Sequence, residues 1–260
     1  MQRTLNGLSL AEKAVELLRD LEPPEGYWLA FSGGKDSICV KRLCDMAGVR
    51  YEAHYSVTTV DPPELIYYMR EHHPDVIWDR PEHTMFDLIA NVELTPPLRQ
   101  QRWCCRLLKE ARGTGTILTG VRWAESNRRA QRRQYEPSRK RGVTTQYLHP
   151  IIEWTDSDVW DFIREQGIPY CRLYDEGFKR LGCVLCPMRD LHMASDARRW
   201  PGIARAYKRA LQRALDNRRE KNGPDDWAVV KYKTGEGWFD WWVGQSGPDV
   251  GDCQMPLFDN

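Results

Sequence analysis

Tyr27-Trp28-Leu29-Ala30-Phe31-Ser32-Gly33-Gly34-Lys35-Asp36-Ser37 is the stretch that decides the fold of this chain. Five apolar residues lead into two glycines, and a segment with helical periodicity, residues 38–47, follows up to Gly48. This order predicts a strand, a tight turn and the N-terminus of a helix. The first turn of a helix has unpaired N–H groups and the positive end of the helix dipole, so the junction is suited to binding an anion.

The side chains of the turn fit the same chemistry. The two glycines let the backbone curl around an oxyanion, and Ser32 and Ser37 add hydroxyl donors. Lys35 adds positive charge. Asp36 would repel a bare phosphate, so we expect it to bind magnesium or to orient the turn. The alternative is an ordinary Gly-Gly turn between a strand and a helix.

The turn lacks the four-residue spacer of a Walker loop. It resembles the PP-loop, Ser-Gly-Gly-x-Asp-Ser, of the ATP pyrophosphatase and phosphoadenosine phosphosulfate (PAPS) reductase superfamily. The resemblance implies that the loop holds the phosphates of an adenine nucleotide, either ATP or PAPS/APS, with Mg²⁺. The implied phosphate-binding residues are Ser32, Gly33, Gly34, Lys35, Asp36 and Ser37.

Strand-like and helix-like segments alternate on both sides of this loop. Apolar strands are predicted at 51–57, 76–78 and 116–121, and helices at 62–72 and 84–92. The alternation predicts an α/β fold with a parallel sheet of about five strands covered by helices on both faces. With the resemblance, this is a PP-loop adenine-nucleotide α-hydrolase-like (Rossmann-like) sheet followed by a C-terminal helical extension.

A second motif lies at residues 118–126, Leu-Thr-Gly-Val-Arg-Trp-Ala-Glu-Ser. It resembles the Thr-Gly-x-Arg-x-x-Glu-Ser segment of the same superfamily. The resemblance implies that Arg122, and with it Glu125 and Arg128, lies near the nucleotide phosphates and ribose. Lys35, Asp36 and Arg122 are therefore the candidate catalytic residues. The alternative is a strand end with a solvated Arg–Glu pair.

Four of the eight cysteines form two couples, Cys104-Cys105 and Cys183-x-x-Cys186. Brought together, four thiolates suit an iron–sulfur cluster or a tetrahedral zinc, and the residues alone leave the metal open. The pattern resembles the cluster motif of iron–sulfur sulfonucleotide reductases, which implies a 4Fe–4S cluster. We expect three other cysteines to be buried as small apolar residues: Cys39, Cys44 and Cys171.

These features divide the chain into three predicted parts. Residues 1–189 form a PAPS reductase-like PP-loop domain with the four-cysteine site. Residues 190–243 form a helical, Trp-rich extension with a long basic helix at 201–222 and a hairpin around 234–237. Residues 244–260 form a flexible tail.

The C-terminal half departs from a sulfonucleotide reductase. Such enzymes use a nucleophilic cysteine in a Glu-Cys-Gly-x-His segment, and only Cys253 follows Cys186 here. The loop and cysteines also resemble those of DndC, the DNA phosphorothioation protein. That resemblance implies ATP splitting to AMP and pyrophosphate in sulfur transfer, on nucleic acid. The alternatives are a sulfonucleotide (PAPS/APS) reductase releasing sulfite and a non-catalytic, redox-sensing DNA-binding regulator.

Clumped basic residues predict a nucleic-acid partner. One clump is the polar loop 126–142 with Arg122, and the other is the helix 201–222. For the loop, the alternative is a lid over nucleotide phosphates, and for the helix it is a solvated surface. Three tryptophans could stack on bases or belong to the core: Trp238, Trp241 and Trp242. The residues of the first clump are Arg122, Arg128, Arg129, Arg132, Arg133, Arg139, Lys140 and Arg141.

The sequence at the extreme C-terminus predicts a second binding partner. Gln254-Met255-Pro256-Leu257-Phe258 resembles the short peptide with which bacterial proteins bind the replicative sliding clamp. A sulfur donor or a thiol reductant is the third expected partner.

Composition limits the remaining possibilities. The chain has 260 residues, of which 41% are hydrophobic and 29% are charged, and its net charge is +1. These values are typical of a soluble globular protein. No apolar run approaches the roughly 20 residues that cross a bilayer. The sequence therefore predicts a cytoplasmic location without a membrane partner.

Overall fold

Six strands form one sheet in the computed structural model, which describes residues 8–109, 113–138 and 144–244. Their order across the sheet is β3-β2-β1-β4-β6-β5. Every neighbouring pair is parallel except β5 and β6, which are antiparallel. The strands are β1 Tyr27–Ala30, β2 Tyr51–Ser56, β3 Ile77–Asp79, β4 Thr116–Leu118, β5 Tyr135–Pro137 and β6 Gln146–Leu148.

The α/β prediction is confirmed, with a parallel-dominated sheet flanked by helices. The antiparallel strand β5 was missed because it lies in the polar segment 126–142, which has no apolar alternation. The chain moves from β1 through β2 to β3 on one side and then returns to place β4 on the other side of β1. Ligands bind at such a switch point, beyond the carboxyl ends of the strands.

Four helices accompany the sheet, and local sequence sets their ends. In α1 (Leu10–Asp20), Ser9 and Glu12 form a capping box. Helix α2 (Lys35–Ala47) begins after Gly34 and ends at Gly48, whose φ of 68° is the left-handed conformation that favours glycine. Helix α3 is Pro63–His72, and α6 (Asp156–Glu165) is capped by Thr155 and Asp158.

The chain divides into two compact units. Of the described residues, the first contains 8–57, 61–81, 106–109, 113–138 and 144–182 and carries the whole sheet. The second contains 58–60, 82–105 and 183–244. The three-part division drawn from the sequence, with its boundary at residue 189, stays a prediction.

Short helices build the second unit around one long one. Helix α4 (Met85–Asp87) continues as a π-helical turn, Leu88–Val92, and α5 is Trp103–Leu108. The long basic helix is confirmed as α8, Pro201–Asn222, and it follows α7, Asp190–Arg199. The last two are α9 (Trp227–Tyr232) and α10 (Gly235–Trp242).

The predicted hairpin around residues 234–237 is wrong. The Thr234 hydroxyl accepts the Gly237 N–H at 3.0 Å, which makes Thr234 an N-cap and starts a helix instead of a turn. A Cβ on Gly235 would lie 2.4 Å from the backbone nitrogen of Gln212, so this glycine lets α10 approach α8. Trp238 and Trp242 are buried, which confirms core packing for these two.

Burial of the three remaining described cysteines is as expected. Cys39, Cys44 and Cys171 are each 0% exposed. Within the described ranges, we find no helix with the length and apolar character needed to span a bilayer.

Candidate functional site

The loop between β1 and α2 is held by its own serines. The Ser37 hydroxyl donates to the Gly34 carbonyl at 2.9 Å and accepts the Ser32 N–H at 3.2 Å. The two serine Oγ atoms are 3.2 Å apart, and the Gly34 N–H points to Ser32 Oγ at 3.4 Å. The predicted residues therefore form one tight turn at the N-terminus of α2, the arrangement that binds phosphate oxygens.

Gly33 cannot be replaced without moving its surroundings. Its φ is 68°, and a Cβ there would lie 2.7 Å from Cγ and Sδ of Met69 and 2.9 Å from Leu65 Cδ1. Both contacts belong to α3, so the turn is pressed against that helix.

A chain of ion pairs lies beside the loop. Arg122 donates through Nε to Asp36 Oδ1 and through Nη2 to Asp156 Oδ1, both at 2.6 Å, and through Nη1 to the Trp154 carbonyl at 3.1 Å. Lys35 Nζ lies 3.2 Å from Asp36 Oδ2 and 3.1 Å from Asp156 Oδ1. Two cations and two carboxylates thus alternate, and the Arg122 side chain is only 2% exposed.

The ionisation of this network follows from its pairing. Burial acts to lower the pKa of Arg122, but Asp36 and Asp156 outweigh it, so the pKa is raised. Burial acts to raise the pKa of Asp156, but hydrogen bonds from Lys35 and Arg122 hold it below its ordinary value. Both groups are therefore charged at neutral pH.

Gly120 explains how the second motif reaches the loop. A Cβ on Gly120 would lie 2.8 Å from Asp36 Cβ and 2.9 Å from the Asp36 carbonyl carbon. Only a glycine lets the turn after β4 come this close to the first turn of α2. The approach brings Arg122 to Asp36, across the switch point of the sheet.

Glu125 and Arg128, the other two residues implied by that motif, differ in their position relative to the loop. Glu125 accepts the Arg122 N–H at 3.0 Å and forms an ion pair with Arg129. Glu125 and Arg129 both line the cavity at the loop, whereas Arg128 is exposed and does not line it. The resemblance implies a role for Arg128, which stays a prediction, whereas the cavity lining contains its neighbour Arg129.

Two cavities flank Tyr174, whose hydroxyl accepts the Lys35 N–H at 2.8 Å. The loop cavity has a volume of about 140 Å³ and contains Ser32, Ser37 and Arg180 in its lining. The second, which we call the aromatic cavity, has a volume of about 300 Å³. Its lining is Lys35, Asp156, Trp160, Tyr174, Gly177, Phe178 and Lys179.

Sequence reasoning missed Asp156, Tyr174 and Arg180. Asp156 follows the N-cap residue Thr155, and a carboxylate in a first helical turn is ordinarily explained by the helix dipole alone. Tyr174 and Arg180 lie in a segment without periodicity, so no sequence pattern places them. Neither has a signal in a single sequence that would single it out.

The two cysteine couples lie in the second unit. The pKa of the Cys104 thiol is raised above its ordinary value. A hydrogen bond with Cys105 is the largest cause, followed by burial and by the nearby thiols of Cys105, Cys183 and Cys186. The described cysteines form no disulfide, and Arg102 Nη2 donates to Cys105 Sγ at 3.3 Å.

The turn between Cys183 and Cys186 is held in shape by a buried carboxylate. Asp196 accepts the Leu185 N–H at 3.1 Å, and Leu185 has a φ of 59°, unusual for a residue with a side chain. Across the described ranges, no three His, Cys, Asp or Glu side chains are arranged so as to hold one metal ion. Four thiols as donors nonetheless match the chemistry of a thiolate-ligated centre.

The predicted partner surfaces are only partly described. Arg139, Lys140, Arg141, Cys253 and the peptide 254–258 lie outside the described residues. Of the described basic residues, Arg132 pairs with Glu136 and Arg218 with Asp226. These two are committed to internal ion pairs.

Comparison with known proteins locates this arrangement within a family. Residues 26–189, more than half of the chain, match the phosphoadenosine phosphosulfate reductase domain. The chain is 25% identical over 180 residues to a probable FAD synthase of Schizosaccharomyces pombe, covering 69% of this chain and 67% of that protein. It is 32% identical over 136 residues to the adenosine 5'-phosphosulfate reductase of Allochromatium vinosum, covering 49% of this chain and 50% of that one.

A solved structure supports the fold. PAPS reductase from Candida auris, in a phosphate complex, superimposes with a TM-score of 0.51 at 17% identity, covering 69% of this chain and 90% of that chain. The chain spans half of the Allochromatium reductase and two thirds of the fission-yeast protein.

Proposed function

Because the chain belongs to the phosphoadenosine phosphosulfate reductase domain family, we propose that it is an enzyme that splits ATP at the loop Ser32–Ser37. The products are AMP, carried on an acceptor, and pyrophosphate. The activated acceptor then takes sulfur from a donor.

The observation that carries this proposal is the lining of the loop cavity. It combines the serine hydroxyls and the N-terminus of α2 with two arginines, Arg129 and Arg180. Arg129 is paired with Glu125, whereas Arg180 has no ion-pair or hydrogen-bond partner among the described residues. A cavity lined by an unpaired arginine, serine hydroxyls and a helix N-terminus is suited to a polyphosphate.

The chemistry requires a stabilised leaving group. An acceptor oxygen attacks the α-phosphorus, the bond from that phosphorus to the α–β bridging oxygen breaks, and pyrophosphate leaves with the bond electrons. Hydrosulfide from a sulfur donor then attacks the acceptor atom that carries the adenylated oxygen, the bond from that atom to the oxygen breaks, and AMP leaves with the oxygen and the bond electrons. Groups aimed at the leaving oxygens accelerate the first step, and Arg180 and the loop amides are suited to that role.

The ion-pair network orients the loop in this scheme. Arg122 and Lys35 are engaged by Asp36 and Asp156, so they fix the first turn of α2 before any nucleotide arrives. The two carboxylates also supply the oxygen donors that Mg²⁺ prefers. Bound there, magnesium would neutralise phosphate charge.

The cysteine couples form the second centre of the proposal. Cys104, Cys105, Cys183 and Cys186 would hold a 4Fe–4S cluster, because four thiols free of disulfides have the donor chemistry that such a cluster needs. Such a cluster would supply a redox-active sulfur-rich site when bound. Arg102, which donates to Cys105, would tune it.

We propose nucleic acid, most specifically DNA, as the acceptor. The basic segment 128–141 and the basic helix α8 support this choice, as does the C-terminal sequence 254–258 that resembles a clamp-binding peptide. The resemblance to DndC supplies the reaction class.

The test is nucleotide turnover by the full chain purified without oxygen. With single-stranded DNA and sulfide supplied, we expect AMP and pyrophosphate from ATP, with turnover lost in Ser37→Ala because its hydroxyl shapes the loop. Ser195→Ala, an exposed helical serine of the second unit, is the matched control and should behave as wild type. Sulfite release from PAPS without any ATP turnover would overturn the proposal.

A sulfonucleotide reductase is the second candidate, because the Allochromatium reductase is 32% identical over the matched region. It would release sulfite from APS or PAPS with a thiol as reductant. If Cys253 were its nucleophile, Cys253→Ser would abolish sulfite formation and leave nucleotide binding intact.

A further inference from the structure

The aromatic cavity has features that the ATP-splitting scheme does not use. Trp160, Tyr174 and Phe178 form its walls, with the rings of Trp160 and Tyr174 edge to face at 5.1 Å. A Cβ on Gly177 would meet nothing within 4 Å, so the lining is open at that residue. Its volume of about 300 Å³ lies at the lower end of small-ligand sites, roughly 300–1,000 Å³.

One positive charge in the lining of this cavity is not balanced by a carboxylate. Lys35 and Asp156 form an ion pair at 3.1 Å and so offset each other. Lys179 is exposed and makes no ion pair or hydrogen bond with any described residue. A ligand that enters therefore meets aromatic walls and one uncompensated positive charge.

The position of the cavity relates it to the nucleotide. Tyr174 borders both cavities, and its hydroxyl binds the first N–H of α2. The adjacent residues Lys179 and Arg180 line the aromatic cavity and the loop cavity, respectively. Lys179 and Arg180 thus place one unpaired cation in the lining of each cavity.

We propose that the aromatic cavity binds the acceptor as a planar aromatic ring carrying a phosphate, with the ring against Trp160 and Phe178 and the phosphate on Lys179. This inference rests on the proposed function, since it gives the acceptor a place next to the bound nucleotide. The same chemistry could come from a free mononucleotide, from a flavin mononucleotide or from one nucleotide of a single strand.

The experiment measures binding to the full chain in the presence of saturating inorganic pyrophosphate, which has no ring and competes for the phosphate-binding loop. The probes are thymidine 5'-monophosphate, flavin mononucleotide and a single-stranded oligothymidylate, with thymidine and riboflavin as phosphate-free counterparts. We expect at least one phosphate probe to bind, and the probe that binds most tightly identifies the source of the ring.

Two variants test the two halves of the site. Lys179→Ala should weaken the phosphate probe about tenfold and leave its phosphate-free counterpart unchanged, because one charge-assisted contact is lost. Trp160→Ala should weaken both members of a pair by about 5- to 150-fold. The matched controls are Lys233→Ala and Tyr67→Ala, two exposed side chains outside both cavities.

The result that overturns the inference is the absence of binding by every phosphate probe, or binding that Lys179→Ala leaves unchanged. Lys179 is exposed, so that variant is not expected to disturb folding. Turnover of ATP by the same preparation separates the two proposals. Turnover without probe binding overturns the second site alone, and probe binding without turnover overturns the ATP-splitting function alone.

Discussion

Arg122 donates its Nε hydrogen to Asp36 Oδ1 at 2.6 Å and thereby joins the turn after β4 to the first turn of α2. These are the two connections that meet at the switch point of the sheet. The pair is almost fully buried on the arginine side, with Arg122 2% and Asp36 20% exposed. The internal salt bridge therefore fixes the loop against the turn after β4.

Removal of the arginine should destabilise the protein. Arg122→Ala leaves Asp36 paired only with Lys35, and breaking a buried ion pair costs about 3–5 kcal/mol. Urea denaturation measures the loss. Arg164→Ala, which breaks an exposed pair with Asp161, should cost no more than about 1 kcal/mol. Equal effects of the two substitutions would show that the Arg122 network is not a stabilising element.

A methyl group at position 120 should separate the two motifs. Gly120→Ala would place its Cβ 2.8 Å from Asp36 Cβ, so one backbone must shift and Arg122 loses its geometry. We expect at least tenfold weaker ATP binding and a cost of roughly 1–3 kcal/mol in stability.

Gly202→Ala is the matched control, because a Cβ there meets nothing within 4 Å and Gly202 lies in α8. It should leave ATP binding unchanged and stabilise slightly, by up to about 1 kcal/mol. ATP affinity retained in Gly120→Ala would contradict the close-approach argument.

Acid should weaken the second unit through Asp226. Arg218 binds its two carboxylate oxygens at 2.8 and 2.9 Å, and Asn222 donates at 2.8 Å. Burial acts to raise the pKa of Asp226, but these hydrogen bonds and one from the Ala228 N–H lower it to about 2.

The folded-state pKa is below the unfolded value, so the stabilisation is present above pH 4 and is lost as pH falls towards 2. Asp226→Asn should therefore lose about 2 kcal/mol at pH 7, and the difference from wild type should shrink below pH 4. Urea denaturation of both proteins at pH 7 and below pH 4 measures this difference in the free energy of unfolding. A difference that does not change with pH would contradict the assignment.

The cysteine couples should hold iron. Protein purified without oxygen should be brown, with a broad band near 400 nm (roughly, as thiolate-ligated iron gives), and should contain iron and sulfide. Cys186→Ser should lose most of both. Cys39→Ala, a buried cysteine in the first unit, should keep the colour. Colourless wild type, or zinc in place of iron, would contradict the cluster.

Local sequence could predict the loop but not its partners. Ser32 to Ser37 is a contiguous motif, and strand, turn and helix follow directly from its apolar flanks. The capping residues Ser9 and Thr155 also act within three residues of their partners, so their roles are readable. The ion pairs of Arg122 with Asp36 and Asp156 join residues that are 86 and 34 positions apart in the sequence, so a local motif does not predict them.

Other features depended on tertiary contacts in the same way. The glycines at 235 and 237 suggest a hairpin from sequence, whereas in the structure they lie in a helix and Gly235 packs closely against α8. Tyr174 reaches the loop from 139 residues away, and no periodic pattern predicts that contact. The strand β5 lacks apolar alternation because it is an edge strand paired on one side only.

The most direct test of the account is calorimetric titration of ATP into the full chain and into Arg180→Ala. The account predicts one site in the wild type and affinity at least tenfold weaker in the variant, because Arg180 is the unpaired cation of the loop cavity. Lys233→Ala should titrate as wild type. Absence of ATP binding in the wild type, or identical affinities in wild type and Arg180→Ala, would contradict the claim that this loop binds a polyphosphate.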